Sequence, residues 1–348
     1  MTRSIVARTA CAVAAVGLAV GLTACGSGSN PGNGLPTVSM MVGGIDKQIY
    51  LPYQLAEGLG LYKKYGVNME LSTETQGGVG AEDAMASGQV NMAGAWYVHT
   101  IDFQQAGKKV IDVAQLSGAP GEREMCAGAA NIHSPADWKG KSVGVTDLGS
   151  GTDDLTRYLA ARQQLGGQDY SRIGVGDGST LISALQRGRI VCAMTTQPTV
   201  TGIEKKGVGA SAIDIATTAG AQKWFGGVYP GAAVLAQTDW VNSHRDLVQK
   251  VVNALVDTMH YIHTHSAADI AAHLPPAFVS NGLITKQDYI TALDQDKDQF
   301  LPDGMMPPGA PQTALDVDKY VGKVTKPVDM PATYTNDFVI AANKASGN

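Results

Sequence analysis

Between Lys139 and Leu165 the chain reads K-G-K-S-V-G-V-T-D-L-G-S-G-T-D-D-L-T-R-Y-L-A-A-R-Q-Q-L. Ser142 to Val145 has the composition of a short buried strand and Asp147 to Gly151 that of a glycine-rich turn. From Thr152 onward, Leu155, Tyr158, Leu159 and Leu165 recur at helical spacing. Strand, tight turn and helix in this order build a ligand pocket in an open α/β sheet. Gly149 and Gly151 let the backbone approach a ligand, and the first N–H groups of the helix have no partner within it. We therefore expect the backbone N–H groups from Ser150 to Thr152, with the two hydroxyls, to meet an acceptor group of a ligand.

Outward from this stretch the same grammar repeats. Thr37 to Val42 reads as a first strand ended by Gly43-Gly44. A helix follows with Pro52 in its first turn, where a missing N–H is harmless, and with Leu55, Ala56 and Leu59 on one face. Asn68 to Ser72, Val110 to Leu116, Glu122 to Ala129 and Ile213 to Ala216 read as further strands, and Ala232 to Ala236 as a strand that returns the chain to its first half. Strands and helices in alternation predict a mostly parallel sheet. Ser243 and Asp246 signal a helix start, and Leu247, Val251, Leu255, Met259 and Ile262 form one apolar stripe, which assigns them to the core.

The N-terminal segment has a different character. Arg3 and Arg8 precede an apolar run from Ala10 to Leu22, too short to span a bilayer comfortably, and Leu22-Thr23-Ala24-Cys25 follows. That is the pattern of a signal peptide, residues 1–24. Its end resembles a bacterial lipobox, which implies lipid on the Cys25 sulfur and a protein held at the outer face of the cell membrane. Residues 25–35, with G-S-G-S-N-P-G-N-G at Gly26 to Gly34, contain little that could enter a core and read as a flexible tether.

The chain has 348 residues, 44% hydrophobic and 16% charged, enough for two lobes with a real core. Its net charge of −5, more acidic once Arg3 and Arg8 leave with the signal, argues against nucleic acid as a partner. Cys11 leaves with the signal and Cys25 takes the lipid, so Cys126 and Cys192 remain. Sequence leaves open whether they are two buried thiols or a disulfide, which export permits.

Several segments together resemble a known family. Pro52, Ala56, Gly60-Leu61-Tyr62 and Gly66-Val67 are similar to the opening of the substrate-binding proteins of ABC importers for nitrate, alkanesulfonates, taurine and thiamine-pyrimidine precursors. Ala84-Met-Ala-Ser-Gly-Gln-Val-Asn-Met-Ala93 resembles the family's helix, glycine turn and strand leading to the pocket. It recurs as Ala184-Leu-Gln-Arg-Gly-Arg-Ile-Val-Cys-Ala193. Asn91 and Val191 stand where the family usually has aspartate. Ser134 to Lys141, Phe300 to Met306 and Tyr334 to Val339 are similar to later family segments. The resemblance implies a periplasmic-binding-protein-like, type II α/β fold: two lobes, each with a mostly parallel sheet flanked by helices, joined by a two-segment hinge. The expected lobes are residues 36–122 with 230–348, and residues 123–229. It further implies a monomeric solute-binding protein, with ABC permease and ATPase subunits as partners and closure around a small-molecule solute as its action.

Other chemistry is poorly supported. His260, His263 and His265 fall on different sides of one helix, which argues against a metal site. Gly149-x-Gly151-x-x-Asp154 lacks the third glycine of a dinucleotide fingerprint, and no P-loop or G-x-S-x-G elbow occurs. We therefore expect no cofactor, no catalytic residues and no enzyme activity; an exported enzyme is the alternative of another class.

Ligands in open α/β sheets bind beyond the carboxyl ends of the strands. The candidate ligand-binding residues in the first lobe are thus Gly44, Ile45 and Asp46, then Gly77 and Gly78, then Trp96 and Tyr97, then Ser117. From the second lobe come Ser150, Gly151 and Thr152, then Thr196 and Gln197, with Tyr229 near the return crossing. Trp96 and Tyr97 are neighbours on a strand and point to opposite faces, so at least one of them is expected at the cleft. A nitrate, sulfonate or taurine-like solute would use the helix start after Gly151, although Asp153 and Asp154 offset part of its dipole. An aromatic or heterocyclic solute, such as a pyrimidine precursor or an aromatic carboxylate, would stack on Trp96 or Tyr97. Both readings stay open at this point.

Overall fold

In the computed structural model, residues 34–74 and 78–347 are described. The expected signal peptide, Cys25 and Gly77 lie outside the described residues. Ten strands occur among the described residues: β1 (Thr37–Val42), β2 (Asn68–Thr73), β3 (Met92–Trp96), β4 (Val110–Gln115), β5 (Glu122–Ala127), β6 (Ser142–Val145), β7 (Ser171–Gly174), β8 (Cys192–Thr196), β9 (Gly209–Ile215) and β10 (Ala232–Gln237). They form two five-stranded sheets, ordered β2-β1-β3-β10-β4 and β7-β6-β8-β5-β9.

The two orders are the same plan. In each sheet three strands run parallel, and the fourth, β10 or β5, is antiparallel to both its neighbours. That fourth strand enters from the other lobe, which is why it runs against the rest. Central β3 and β8 are buried at every residue, as expected of strands covered on both faces by helices. Small residues admit those covers: a Cβ at Gly94 would lie 2.8 Å from the Tyr53 ring, whose hydroxyl donates to the Ala233 carbonyl at 2.6 Å. Cys126 and Cys192 face each other across β5 and β8 and are joined as a disulfide, settling the alternative that sequence left open.

The segments between the sheets run side by side. Ser117 Oγ accepts from the Ala232 N–H at 2.8 Å and donates to the Ala119 carbonyl at 3.0 Å, while the Gly231 N–H donates to the Ser117 carbonyl. After β10, the helix Arg245–Thr264 buries Val251, Leu255, Met259 and Ile262, with Leu247 half-buried at its edge. Burial of each such side chain stabilises by about 1.5–3 kcal/mol. Ser243 does not cap this helix: its hydroxyl donates to the carbonyls of Asp239 and Trp240 in the short helix Thr238–Ser243. The C-terminal helices reach across to the second lobe. Arg123 on β5 makes a two-pronged contact with Asp296, at 2.6 and 2.7 Å, at the end of the helix Lys286–Asp296. Just past the helix Ala310–Tyr320, the Val321 carbonyl accepts from Arg157 at 2.6 Å.

Candidate functional site

Trp96 ends β3 and the helix Gly151–Arg162 begins after β6, so the two meet where the lobes face one another. The approach is very close. A Cβ at Gly151 would lie 2.2 Å from Trp96 Cε3, so residue 151 must be glycine for this ring to lie on the helix start. The glycine spacing predicted a close approach, and here the group that makes it is a side chain of the opposite lobe. Gly149 takes φ +89°, a left-handed conformation suited to glycine. Ser150 is the helix cap and accepts from the Asp153 N–H at 3.4 Å. Its hydroxyl, that of Thr152 and that of Thr146 form a closed set at 2.8–3.1 Å, all buried.

Around this contact lies a small cavity lined by both lobes. Gly43, Lys47, Tyr50, Gly78, Trp96 and His99 contribute from the side of the first sheet, and Glu122, Thr146, Ser150, Gly151 and Thr152 from the second. The space open to the centre of a water molecule is about 20 Å³, room for one or two waters when a single site needs about 10–15 Å³. The lobes are therefore closed. Two contacts pin the closure: Lys47 Nζ bridges to Asp177 Oδ2 at 3.0 Å, and the Gln48 N–H donates to the Gln197 carbonyl at 2.9 Å.

Charge is concentrated at the cavity walls. Glu122 is buried and its Oε2 has no hydrogen-bond partner. Burial pushes its carboxyl up to about 8; Lys47 pulls back and Asp177 pushes further. Behind His99 runs a paired network. Its Nε2 lies 3.2 Å from Glu82 Oε1 and its Nδ1 3.1 Å from Asp102 Oδ2, while Lys323 contacts Asp102 at 2.8 Å and Asp154 at 2.6 Å. Burial pulls the imidazole down, but Glu82 and Asp102 outweigh it and raise His99 to about 9. Asp102 is held below the usual carboxylate range because His99 and Lys323 outweigh its burial. Burial also lifts Glu82 and Asp318 to about 8. These groups tie helices of the first lobe to Asp154 on the second, so the network serves closure directly.

The remaining expected residues have other surroundings. Gly78 lines the cavity with Trp96, but Tyr97 points to the opposite face, where its hydroxyl lies 2.6 Å from Thr333 Oγ1. Gly44 takes φ +99° and lies under Lys47, whose Cε would be 2.6 Å from a Cβ there. The Ile45 N–H donates to Thr73 Oγ1, and Asp46 lines a separate groove with Asp177 and Lys206. Ser117 belongs to the paired crossings described above. Thr196 Oγ1 donates to the Gly121 carbonyl at 2.6 Å, and Gln197 accepts from Gln48 and Thr201. Tyr229 stands behind Trp96, edge-on at 6.2 Å. Sequence reasoning missed Gly43, Lys47, Tyr50, His99, Glu122 and Thr146. One signal was available: Glu122-Arg123-Glu124 puts three charges into a strand otherwise apolar, where an unpaired charge is costly.

Glu124 also groups with Cys126 and Cys192 at metal-ligand distances, but the disulfide takes both thiolates that a metal would need. No described helix is long and apolar enough to cross a membrane.

A family model described as NMT1/THI5 like matches residues 49–268. The chain belongs to this family. Among solved structures, this NMT1/THI5-like chain is similar to a protein of Bordetella bronchiseptica RB50, at 28% identity and TM-score 0.83, covering 90% of this chain and 98% of that one. It shares its fold with the alkanesulfonate-binding protein SsuA of Xanthomonas axonopodis pv. citri bound to MOPS (14% identity, 87% and 99% covered, TM-score 0.66). It also shares it with the periplasmic nitrate-binding protein NrtA of Synechocystis PCC 6803 (15% identity, 89% of each chain, TM-score 0.72). No curated protein matches the sequence. The expected two-lobe α/β periplasmic-binding-protein fold is thus the fold of the chain.

Proposed function

We propose that this protein is the solute-binding component of an ABC importer, that it closes its two lobes around a small organic or inorganic solute, and that it hands the solute to a permease. The observation that carries this reading is the Trp96–Gly151 contact. A cavity lined from two separately built sheets, sealed by a ring that only glycine admits, is a device for enclosing something. The lobe limits of 36–122 with 230–348, and of 123–229, belong to the same proposal. So do the signal peptide, lipid on Cys25 and placement at the outer face of the membrane, which rest on the N-terminal sequence pattern. The nitrate, sulfonate or taurine-like solute draws support from the names of the fold relatives. Tyr50 and Trp96 in the lining favour the other reading, an organic solute with a planar or apolar part.

The test is a thermal-melting panel on the purified full chain. A bound solute raises the melting temperature by mass action, by about 2.7 kcal/mol of stability at a hundred times Kd. The solute is then recovered and analysed. Unchanged solute supports a binding protein, and steady product formation moves the chain to the exported-enzyme class. A Gly151→Val variant, whose side chain would overlap the Trp96 ring, is expected to melt normally when empty and to capture solute about a hundredfold more weakly if closure falls to about 1% of molecules. Unaltered capture in this variant would remove closure from the mechanism. For the anchor, Cys25→Ser is expected to leave the membrane fraction or accumulate unprocessed.

A further inference from the structure

Among the described residues, every charged group lining the cavity has a partner except one. Lys47 Nζ is taken by Asp177 Oδ2 and by the Gly43 carbonyl, both at 3.0 Å, and His99 by Glu82 and Asp102. Glu122 is 4% exposed, lines the cavity, and has a buried Oε2 with no partner. A buried carboxyl oxygen with no donor from the protein is unfavourable, and this one borders the cavity, where a ligand can supply the missing partner. A partner for the ionised form of this carboxyl must donate hydrogen bonds. A nitrate or sulfonate offers acceptors only, so it would pair with the protonated carboxyl alone and be repelled as Glu122 ionises above about pH 8, whereas a cation gains from that ionisation. Trp96 and Tyr50 share the lining with Glu122, and aromatic rings attract cations.

We propose that Glu122 selects the solute: the cavity takes a small nitrogenous organic cation, of the ammonium or amidinium class, whose N–H groups meet the free Glu122 oxygen while its apolar part lies against Trp96 and Tyr50. This rests on the solute-binding reading above and narrows it. The groups acting on Glu122 are Lys47 from the loop after β1, Asp177 from the loop after β7 and Arg123 on its own strand, with Glu124 on that strand and Tyr50 across the cavity also coupled to it. In the empty cavity burial keeps the carboxyl protonated at neutral pH. Capture of a cation then releases that proton to solvent, and affinity rises as pH goes from 6 to 9.

The experiment is calorimetric titration of the purified full chain with acetamidinium, methylammonium and guanidinium chlorides at millimolar concentration, against sodium nitrate and sodium ethanesulfonate. At least one cation is expected to bind, with a heat that depends on the ionisation enthalpy of the buffer at pH 7. Glu122→Gln, which keeps the shape, is expected to lose about tenfold or more in cation affinity and all of the buffer dependence while its empty form melts at least as high as the parent. Glu122→Asp keeps the charge and is expected to lose less. Failure of all three cations to bind, or cation binding that Glu122→Gln leaves unchanged, overturns the proposal. Anion binding indifferent to Glu122→Gln also overturns it, yet leaves the solute-binding reading standing; if no solute in the broad melting panel binds either, that reading falls as well.

Discussion

Strands β10 and β5 occupy the same place in the two sheets, fourth in order and antiparallel to the strands beside them. Aligned through their partners, Ala232 opposite Trp96 corresponds to Glu122 opposite Thr196, and Val234 opposite Gly94 to Glu124 opposite Met194. β10 is A-A-V-L-A-Q and β5 is E-R-E-M-C-A, both almost wholly buried. One topology therefore tolerates either an apolar strand or three buried charges. The apolar version is what packing alone would choose, since burying a charge is costly unless it is paired. The charges of β5 therefore need separate explanations, and they divide into three kinds: Arg123 is paired, Glu122 faces the cavity, and Glu124 has neither oxygen partnered.

The sharpest way to break this comparison is to take away the partner of Arg123. Asp296→Ala leaves a buried guanidinium with only the half-exposed Asp214 for company, and we expect a loss of about 3–5 kcal/mol, read in urea melts, where Ala233 at the matching place on β10 has no ion pair to lose. A loss below about 1 kcal/mol would place the pair among ordinary surface bridges.

Next comes pH. Burial raises Asp112 to about 7 and Glu82, Glu122 and Asp318 to about 8 in the folded chain. A raised acid holds its proton longer when folded than when unfolded, so stability falls as pH rises from about 5 to 8. His99, raised to about 9, works in the same direction: its contribution is full below about 6.5 and is lost as pH passes 9. The melting temperature of the empty protein should therefore decline from pH 5 to 9. A rise across that range would contradict the burial of these groups.

Glu124→Leu imports the character of β10 into β5. Its carboxyl is raised well above the usual range by burial, so removing it should stabilise by about 1–3 kcal/mol at pH 8 and flatten the pH dependence. A destabilised variant would mean that Glu124 has a role the apolar strand cannot fill. The smallest effect concerns the repeated helix–turn–strand unit. Asn91 Oδ1 accepts from the Ser39 N–H and hydroxyl at 3.0 and 3.1 Å, whereas Val191 reaches Ser142 through its backbone N–H alone, at 2.9 Å. Asn91→Ala should cost about 1 kcal/mol, and Val191→Ala clearly less.

The sequence by itself determined the architecture. Periodicity, the glycine turns and the recurrence of Ala84–Ala93 at Ala184–Ala193 placed most strands to within about four residues, leaving β7 unplaced, and paired the lobes, because each signal comes from neighbouring residues on one element. It also marked Trp96 and the Ser150–Thr152 turn, since residues after a strand's carboxyl end sit at the cleft wherever the sheet is open and parallel. Only tertiary structure decided what those residues face. Trp96 meets Gly151 across lobes, Glu122 borders the cavity while Glu124 does not, and Tyr97 turns away to Thr333. Contacts of that kind join residues dozens to hundreds of positions apart, and no local pattern encodes them. The Cys126–Cys192 pairing is of the same sort: composition permitted it, but register across β5 and β8 brought the sulfurs face to face.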